Sequence, residues 1–384
     1  MPLDATLTPA EVLDRPQQRK YLDPFRQWQG IPSIERTRGG RLYVNFYTGE
    51  DTEKGGNFVV VDTSDDNGAT WEHVRFVVSH PDPEIRAYDP CLWADPLGRL
   101  WMTWNQSRDF FDGRVGVWVS ICENPDDSDP QWSPPRRIGN GLMMNKPTVT
   151  AAGEWLFPTA IWACHPPTED HPDMADERFS NVYVTTDQGR TFHYRGGADV
   201  PNRSFDEHMI VEKQDGALWM LVRCFDGIGE SYSVDGGATW EPGKRSHIDG
   251  PCSRFHIRRL ASGRLLMINH VGFNERSDRT DIEEQGNVKA WKGRSHLSAL
   301  LSEDDGRTWP YALLLDERDD VSYPDATEGT DGYIYVTYDW ERFAHRNIYL
   351  ARFTEDDILK GTIHDERSAT AILVNHAGAL SEKY

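Results

Sequence analysis

One turn recurs four times along this chain, and that recurrence constrains the fold more than any other feature of the sequence. It reads Ser64-Asp65-Asp66-Asn67-Gly68-Ala69-Thr70-Trp71, Thr185-Thr186-Asp187-Gln188-Gly189-Arg190-Thr191-Phe192, Ser233-Val234-Asp235-Gly236-Gly237-Ala238-Thr239-Trp240 and Ser302-Glu303-Asp304-Asp305-Gly306-Arg307-Thr308-Trp309. In the shared pattern S/T-x-D-x-G-x-T-W/F, the Asp caps backbone N–H groups of its own turn, the Gly supplies positive φ, and the aromatic packs back against a sheet. Such a turn joins antiparallel strands. Self-similarity at a period of tens of residues identifies a repeat architecture before any residue acquires a role.

A second repeat counts the units. A turn glycine opens a strongly apolar strand at Gly40-Arg41-Leu42-Tyr43, Gly98-Arg99-Leu100-Trp101, Gly153-Glu154-Trp155-Leu156, Gly216-Ala217-Leu218-Trp219, Gly263-Arg264-Leu265-Leu266 and Gly332-Tyr333-Ile334-Tyr335. Six units of roughly 60 residues each have room for four short strands. After the second glycine the turn motif has decayed to Ser120-Ile121-Cys122-Glu123-Asn124-Pro125 with Trp132 downstream, and after the sixth to Thr354-Glu355-Asp356-Asp357. The pattern predicts an all-β chain, a six-bladed β-propeller of four-stranded antiparallel blades, in which radial closure leaves only short protected edges. A β-sandwich or two unrelated β domains fit less well, because the units are evenly spaced and no Pro/Ser-rich linker separates them. Residues 27–384 are read as one propeller domain. Residues 1–26 are read as an arm, in which Thr8-Pro9-Ala10-Glu11 resembles a capping box and predicts a short helix.

Charge narrows the partners. A formal charge of -21 argues against nucleic acid or an anionic membrane, both of which call for a basic surface. It leaves room for an anionic small ligand, since a local arginine cluster acts at short range while a distant acidic surface is screened. No stretch of signal-peptide type and no run of eighteen apolar residues is present, so the expectation is a soluble, cytoplasmic protein. The five cysteines, Cys91, Cys122, Cys164, Cys224 and Cys252, are widely spaced and lack a CxxC pair. Neither a disulfide framework nor a zinc site is indicated, Cys91 and Cys224 read as buried inert thiols, and no cofactor or metal is expected.

The repeat also predicts where chemistry sits. Eight or nine residues before successive turn glycines lie Tyr88-Asp89, Asn145-Lys146, Asp206-Glu207-His208, Ser253-Arg254 and Ser322-Tyr323; about seven after them lie Tyr47, Asn105, Arg223, His270 and Asp339. Hairpin geometry places both sets at one end of the innermost strands, with the Asp-Gly-Trp turns at the other. Charged and polar residues at equivalent positions of successive repeats pack poorly but make a good polar pocket. The turns then read as scaffold.

At these residues the chain resembles the sialidase superfamily of six-bladed Asp-box propellers, from Gly30 to about Phe353. The catalytic Tyr of that family is matched by Tyr323 in Val321-Ser322-Tyr323-Pro324-Asp325, followed by a turn glycine and a strand ending in Tyr338-Asp339. Its Glu is matched by Glu207, which begins the run that Arg223 ends, and a further family Arg by Arg294, just before the fourth Asp box. What the resemblance implies is chemically coherent. A sialic acid carries a carboxylate at its anomeric carbon, so a neutral Tyr hydroxyl activated by Glu avoids the repulsion that a carboxylate nucleophile would meet. Arginines grip the substrate carboxylate through paired charge-assisted hydrogen bonds.

Two places depart from the family. Its first arginine immediately precedes an Ile-Pro pair, and here Gly30 precedes Ile31-Pro32; Arg86 and Arg254 are the candidates to replace it. The acid/base Asp expected after the first hairpin falls in Gly49-Glu50-Asp51-Thr52-Glu53-Lys54-Gly55, which offers Asp51 and Glu53. Asp89, Lys146, His208 and His270 have no standard sialidase role, and His208 is a further catalytic candidate. Such groups beside arginines also suit proton abstraction α to a uronate carboxylate, the chemistry of a polysaccharide lyase. Three readings therefore stand: an exo-acting hydrolase of sialidase type removing a terminal acidic sugar, a lyase-type enzyme on uronate-bearing glycans, and a non-catalytic glycan-binding propeller. Trp28, Trp93, Trp162, Trp291 and Trp340 are candidates to stack on sugar rings or to fill the spaces between blades. The charged stretch from Asn274 to Trp291 is a candidate lid.

Overall fold

The computed structural model describes residues 5–111, 115–162, 172–272 and 293–378. Cys164, Trp291 and the Asn274–Trp291 stretch lie outside them.

All six turn glycines are in the left-handed region, with φ between 80° and 102°. Each is followed by the second strand of a sheet: Leu42–Gly49, Leu100–Arg108, Trp155–Ala160, Leu218–Cys224, Leu265–His270 and Ile334–Trp340. The strands of each sheet are antiparallel neighbours in chain order, and the six sheets are the blades of a six-bladed β-propeller. Five sheets have four strands. The first has five, because Glu11–Asp14 pairs with Glu72–Ser79 at its outer edge, with Val12 opposite Val78. The helix expected from Thr8-Pro9-Ala10-Glu11 is therefore absent. A free sheet edge offers this segment intermolecular-style backbone partners that an isolated turn of helix cannot match, and the arm instead holds three-residue 3-10 turns at Ala5–Leu7, Arg19–Tyr21 and Asp23–Phe25.

The chain packs as two compact units. One comprises residues 1–138, 323–354 and 367–384, and the other residues 139–322 and 355–366. In the first, Ile34, Val44, Phe46, Val60, Tyr335 and Leu350 form a core between the first and sixth sheets. In the second, Leu156, Val184, Met220 and Val222 fill the space between the third and fourth sheets, and Trp219, Met267 and Leu300 that between the fourth and fifth. Blades are covered on both faces, so Leu42–Gly49 is buried throughout, and its apolar Leu42, Tyr43, Val44, Phe46 and Tyr47 pack on both sides of the sheet. Each such side chain stabilises the fold by about 1.5–3 kcal/mol relative to exposure.

The Asp-box turns are built as the motif predicts. Ser64 Oγ donates to Asp66 Oδ1 at 2.8 Å and accepts from Gly68 N at 2.9 Å, while Thr70 donates its N–H to Oδ1 and its hydroxyl to Oδ2 of the same Asp66. The same bonds recur around Asp187, Asp235 and Asp304. The Thr hydroxyl and backbone donors hold Asp66, Asp235 and Asp304 down at about 2. The decayed second box still delivers its aromatic: Trp132 meets Phe76 and Tyr43 edge-on at 5.8 and 6.5 Å. After the sixth unit the acidic remnant caps a short helix instead, Glu355–Lys360, with acids in its first turn and Lys360 in its last. Cys91, Cys122, Cys224 and Cys252 are buried free thiols, and burial raises Cys224 to about 12. Among the described residues no helix is long and apolar enough to cross a membrane.

Candidate active site

Each inner hairpin separates scaffold from candidate site. In the first sheet Ser64 of the Asp box stands opposite Leu42, while Gly30 stands opposite Tyr47 at the far end of the same strand. In the fourth sheet Leu218 faces Ser233 and Arg223 faces Ile228, and in the fifth Leu265 faces Ser302 and His270 faces Leu297. The polar residues and the box turns thus lie at opposite ends of their hairpins, as the spacing predicts.

In the first unit the site end is marked by strained backbone. Ile31, Asp89 and Tyr323 have φ of 56°, 43° and 53°, and each immediately precedes a proline on the first strand of its sheet. The ladder slips between Gly30 and Ser33 and between Tyr88 and Cys91, so these are bulges. A bulge re-aims the side chain it carries, and a β-branched or bulky residue at positive φ persists only where its surroundings over-determine it. Asp339, fully buried at the end of its strand, accepts the Ile31 N–H at 2.8 Å and pins one such turn.

Arg342 lies three residues beyond Asp339. Its Nε is 3.6 Å from Asp339 Oδ2, its Nη1 is 3.4 Å from Glu53 Oε1, and its guanidinium stands over the Tyr323 ring at 4.7 Å. Burial opposes its charge, but Asp339, Tyr323 and Glu53 outweigh burial and hold it above the ordinary arginine range. Burial, with Glu53 and Asp89 nearby, pushes the Tyr47 hydroxyl well above the usual tyrosine range. Arg86, fully buried, stands over the rings of Tyr88 at 3.5 Å and Phe110 at 4.7 Å. Of the two loop carboxylates, Glu53 is three-quarters covered and joins this cluster, whereas Asp51 is exposed and pairs with Lys54 at 2.6 Å.

In the second unit Glu207 and Arg223 form a buried pair, Nη1 to Oε1 2.6 Å. Three consecutive residues, Phe205, Asp206 and Glu207, have φ of 57°, 55° and 44°. Asp206 and Asn145 hold this turn. The Asp206 carboxylate accepts from Ser180 Oγ, and Asn145 Nδ2 donates to the carbonyls of Glu207 and His208. Arg223 and Arg294 both reach Cys252, the first donating from Nε to the sulfur at 3.4 Å, the second from Nη2 to the carbonyl at 3.3 Å. Arg254 braces the neighbouring segment, donating to Asn145 Oδ1 and to the Met144 carbonyl at 2.7 Å each. Lys146 is buried beside Asn145 in the chain. A small cavity is lined by Met144, Asn145, Trp162, Phe205, Glu207 and His208.

The two buried histidines are held by backbone. His208 Nε2 meets the Asn181 carbonyl at 2.8 Å and His270 Nδ1 the Ser295 carbonyl at 2.9 Å. Burial lowers both to about 4, so each is a neutral ring donating its N–H at neutral pH. The tryptophans serve packing: Trp28 is buried between Tyr47 and Phe343, Trp162 meets Phe205 edge-on, and Trp340 stacks on His345 at 4.0 Å. Trp93, also buried, packs against Trp101 at 5.7 Å.

Arg342, which contacts Glu53, Asp339 and the Tyr323 ring, is the candidate that sequence reading misses. Its signal is weak: an arginine just past the Tyr338-Asp339 strand end, in a chain whose Ile31-Pro32 pair is preceded by glycine.

Six antiparallel sheets, four of them with an Asp-box turn between neighbouring strands and polar residues at the opposite strand ends, make this a sialidase-like propeller. The chain belongs to the BNR repeat-like domain family, which matches residues 40–336. Among solved structures it is similar to a Hadza microbial sialidase, at 20% identity and a TM-score of 0.65, covering 87% of this chain and 67% of that one. A protein of unknown function from Dyadobacter fermentans matches at 18% identity and TM-score 0.62, over 88% of this chain and 95% of the other. A leech intramolecular trans-sialidase, solved with 2,7-anhydro-Neu5Ac, matches at 12% identity and TM-score 0.62, over 88% and 69%. These identities carry the fold, not the reaction. No curated protein matches the chain.

Proposed function

We propose that this protein is an exo-acting glycoside hydrolase of sialidase type, removing a terminal acidic sugar from a glycan. Tyr323 supplies the nucleophile and Glu207 takes its proton as the phenolic oxygen bonds to the anomeric carbon. Arg223 and Arg294 bind the sugar carboxylate. Glu53 rather than Asp51 protonates the departing glycosidic oxygen, because it is the covered member of the loop pair and sits among the groups around Tyr323. Water then cleaves the tyrosyl–sugar bond with Glu53 acting as base and Glu207 returning its proton to the departing phenolic oxygen, which retains configuration and regenerates the site.

The observation that carries this reading is backbone strain. Tyr323 and Glu207, the two residues that the family resemblance singles out for the chemistry, are both non-glycine residues held at positive φ at the site ends of their strands. Conformations of this kind cost of order 1–3 kcal/mol each and concentrate where a side chain must be aimed. The convergence of Arg223 and Arg294 on Cys252 supports a clamp for one anion.

The test is turnover of a panel of fluorogenic α-sialosides, including the deaminated nine-carbon sugar, by the wild-type protein and its Tyr323→Phe variant. Turnover that falls more than about a thousandfold in the variant is the expected result. Equal turnover by both proteins would remove Tyr323 as nucleophile. Silence of the wild type, with an unsaturated ultraviolet-absorbing product from uronate-bearing glycans, would replace the hydrolase by a lyase.

A further inference from the structure

Gly30 occupies the position where the sialidase pattern has its first carboxylate-binding arginine, and the space above it is filled. A methyl group built on Gly30 would collide with Arg342 Cδ and lie 2.5 Å from its Cγ and 2.8 Å from Asp339 Oδ2. The Arg342 side chain therefore crosses the volume into which a side chain at residue 30 would project. Gly30 itself is not in the left-handed region, so its backbone does not require glycine. What requires glycine there is the arginine passing over it.

We propose that Arg342 is a substrate-binding residue that takes over, from the turn after the strand Ile334–Trp340, the carboxylate contact vacated at residue 30. This rests on the functional reading above and specifies its anion site. Three observations in the first unit support it. Arg342 is aimed at the candidate nucleophile, with its guanidinium 4.7 Å from the centre of the Tyr323 ring. Its two carboxylate contacts, 3.4 Å to Glu53 and 3.6 Å to Asp339, are longer than the 2.7–2.9 Å of a charge-assisted hydrogen bond, so it is steered by these acids without being bound bidentately to either. Asp339 serves two purposes, accepting the strained Ile31 N–H and orienting Arg342, which couples the Gly30-Ile31-Pro32 bulge to the arginine that replaces it. Arg86 competes less well for the role, being fully buried against Tyr88 and Phe110.

The replacement is an exchange of geometry. A residue-30 arginine and Arg342 need the same space, so one chain holds one or the other. Glycine at 30 is the condition for Arg342, and Arg342 keeps a planar, permanently charged donor fork available to a carboxylate.

Calorimetric binding of 2-deoxy-2,3-didehydro-N-acetylneuraminic acid and of its primary carboxamide separates the outcomes. Arg342→Met is expected to weaken the carboxylate ligand by about ten- to a hundredfold, the loss of one charged hydrogen-bonding partner, with little change for the carboxamide. Gly30→Ala, which keeps the arginine but displaces it, is expected to produce the same selective loss, and Gly30→Arg with Arg342→Ala is expected to recover part of it. Arg342→Lys, which retains the charge beside Glu53 and Asp339, serves if the methionine variant does not fold. Carboxylate affinity unchanged in Arg342→Met or Arg342→Lys while the wild type binds tightly overturns the role of Arg342 and leaves the hydrolase reading standing. Selective loss in Arg86→Met instead does the same. A wild type that binds no acidic sugar overturns the functional reading and this inference with it.

Discussion

Replacing Arg223 by methionine tests the buried Arg223–Glu207 pair of the second unit through stability, independently of any substrate. The side chains of Arg223 and Glu207 are 0% and 2% exposed and their charged atoms are 2.6 Å apart. Removing one member strands the other charge in a medium where neither water nor salt compensates it, and such losses run to about 3–5 kcal/mol. Methionine fills much of the arginine's volume, so little of this is a cavity cost. Glu207→Gln is milder, because the amide keeps an acceptor for Arg223 and the turn stays anchored by Asn145 on the Glu207 and His208 carbonyls. The double variant contains neither charge and is expected to be more stable than the sum of the singles by about 2–3 kcal/mol. Urea unfolding at pH 7, compared at equal m-values, reads all four proteins. Additive singles, or an Arg223→Met variant within 0.5 kcal/mol of wild type, would refute the argument and show that Glu207 has another partner of equal weight.

Two further predictions concern scaffold and pH. Gly68→Ala and Gly153→Ala place the same methyl at nearly the same φ, 88° and 83°, but at Gly68 it would lie 2.6 Å from Leu350 Cδ2 and at Gly153 it meets nothing within 4 Å. The first is expected to lower the urea midpoint clearly more than the second, which carries only the backbone cost of about 1 kcal/mol; equal effects would mean that the interblade contact yields freely. His208 and His270 bind their protons near pH 4 when folded and near 6.5 when unfolded, so the unfolded chain takes up protons first as pH falls. Stability is therefore full above about 6.5 and declines toward 4, by roughly 3 kcal/mol for each ring at the acid end. His208→Gln is expected to flatten that decline by about one proton, and an unchanged slope in unfolding measurements from pH 7 to 4.5 would contradict the burial assigned to His208.

Repetition explains what could be read from the sequence. The Asp boxes and turn glycines are local: each needs only a hydroxyl, a carboxylate and a positive-φ residue within a few positions, so Gly40 through Gly332 locate six second strands from spacing alone. Pairings distant in sequence could not be read the same way. Thr8-Pro9-Ala10-Glu11 carries a helix signal that is overridden by an open strand edge some 65 residues later, and nothing near Glu11 announces Ser79 as its partner. Site residues follow the same division. Tyr47, Glu207, Arg223, Tyr323 and Asp339 fall at fixed counts from a glycine, whereas Arg342 acquires its importance from Gly30, more than three hundred residues away in the chain.

A proline directly after three strained residues of the first unit, Ile31, Asp89 and Tyr323, ties these observations together. Ile31-Pro32, Asp89-Pro90 and Tyr323-Pro324 place a residue without an N–H directly after a turn that cannot continue the ladder. The preceding residue is thereby kept out of the right-handed helical region, while the bulge costs the sheet one hydrogen bond fewer than it otherwise would. In the first sheet the Asp box around Asp66 lies at the end of the blade opposite the Ile31 bulge, and its bonds keep that end in register. Because the box bonds and the bulge are separated by the length of a strand, side chains at the site end can be exchanged without loosening the blade. Glycine at position 30 with an arginine at 342 is such an exchange: it moves the cation from the strand to the turn after Trp340 while Asp339, Ile31 and the ladder beneath them keep their bonds.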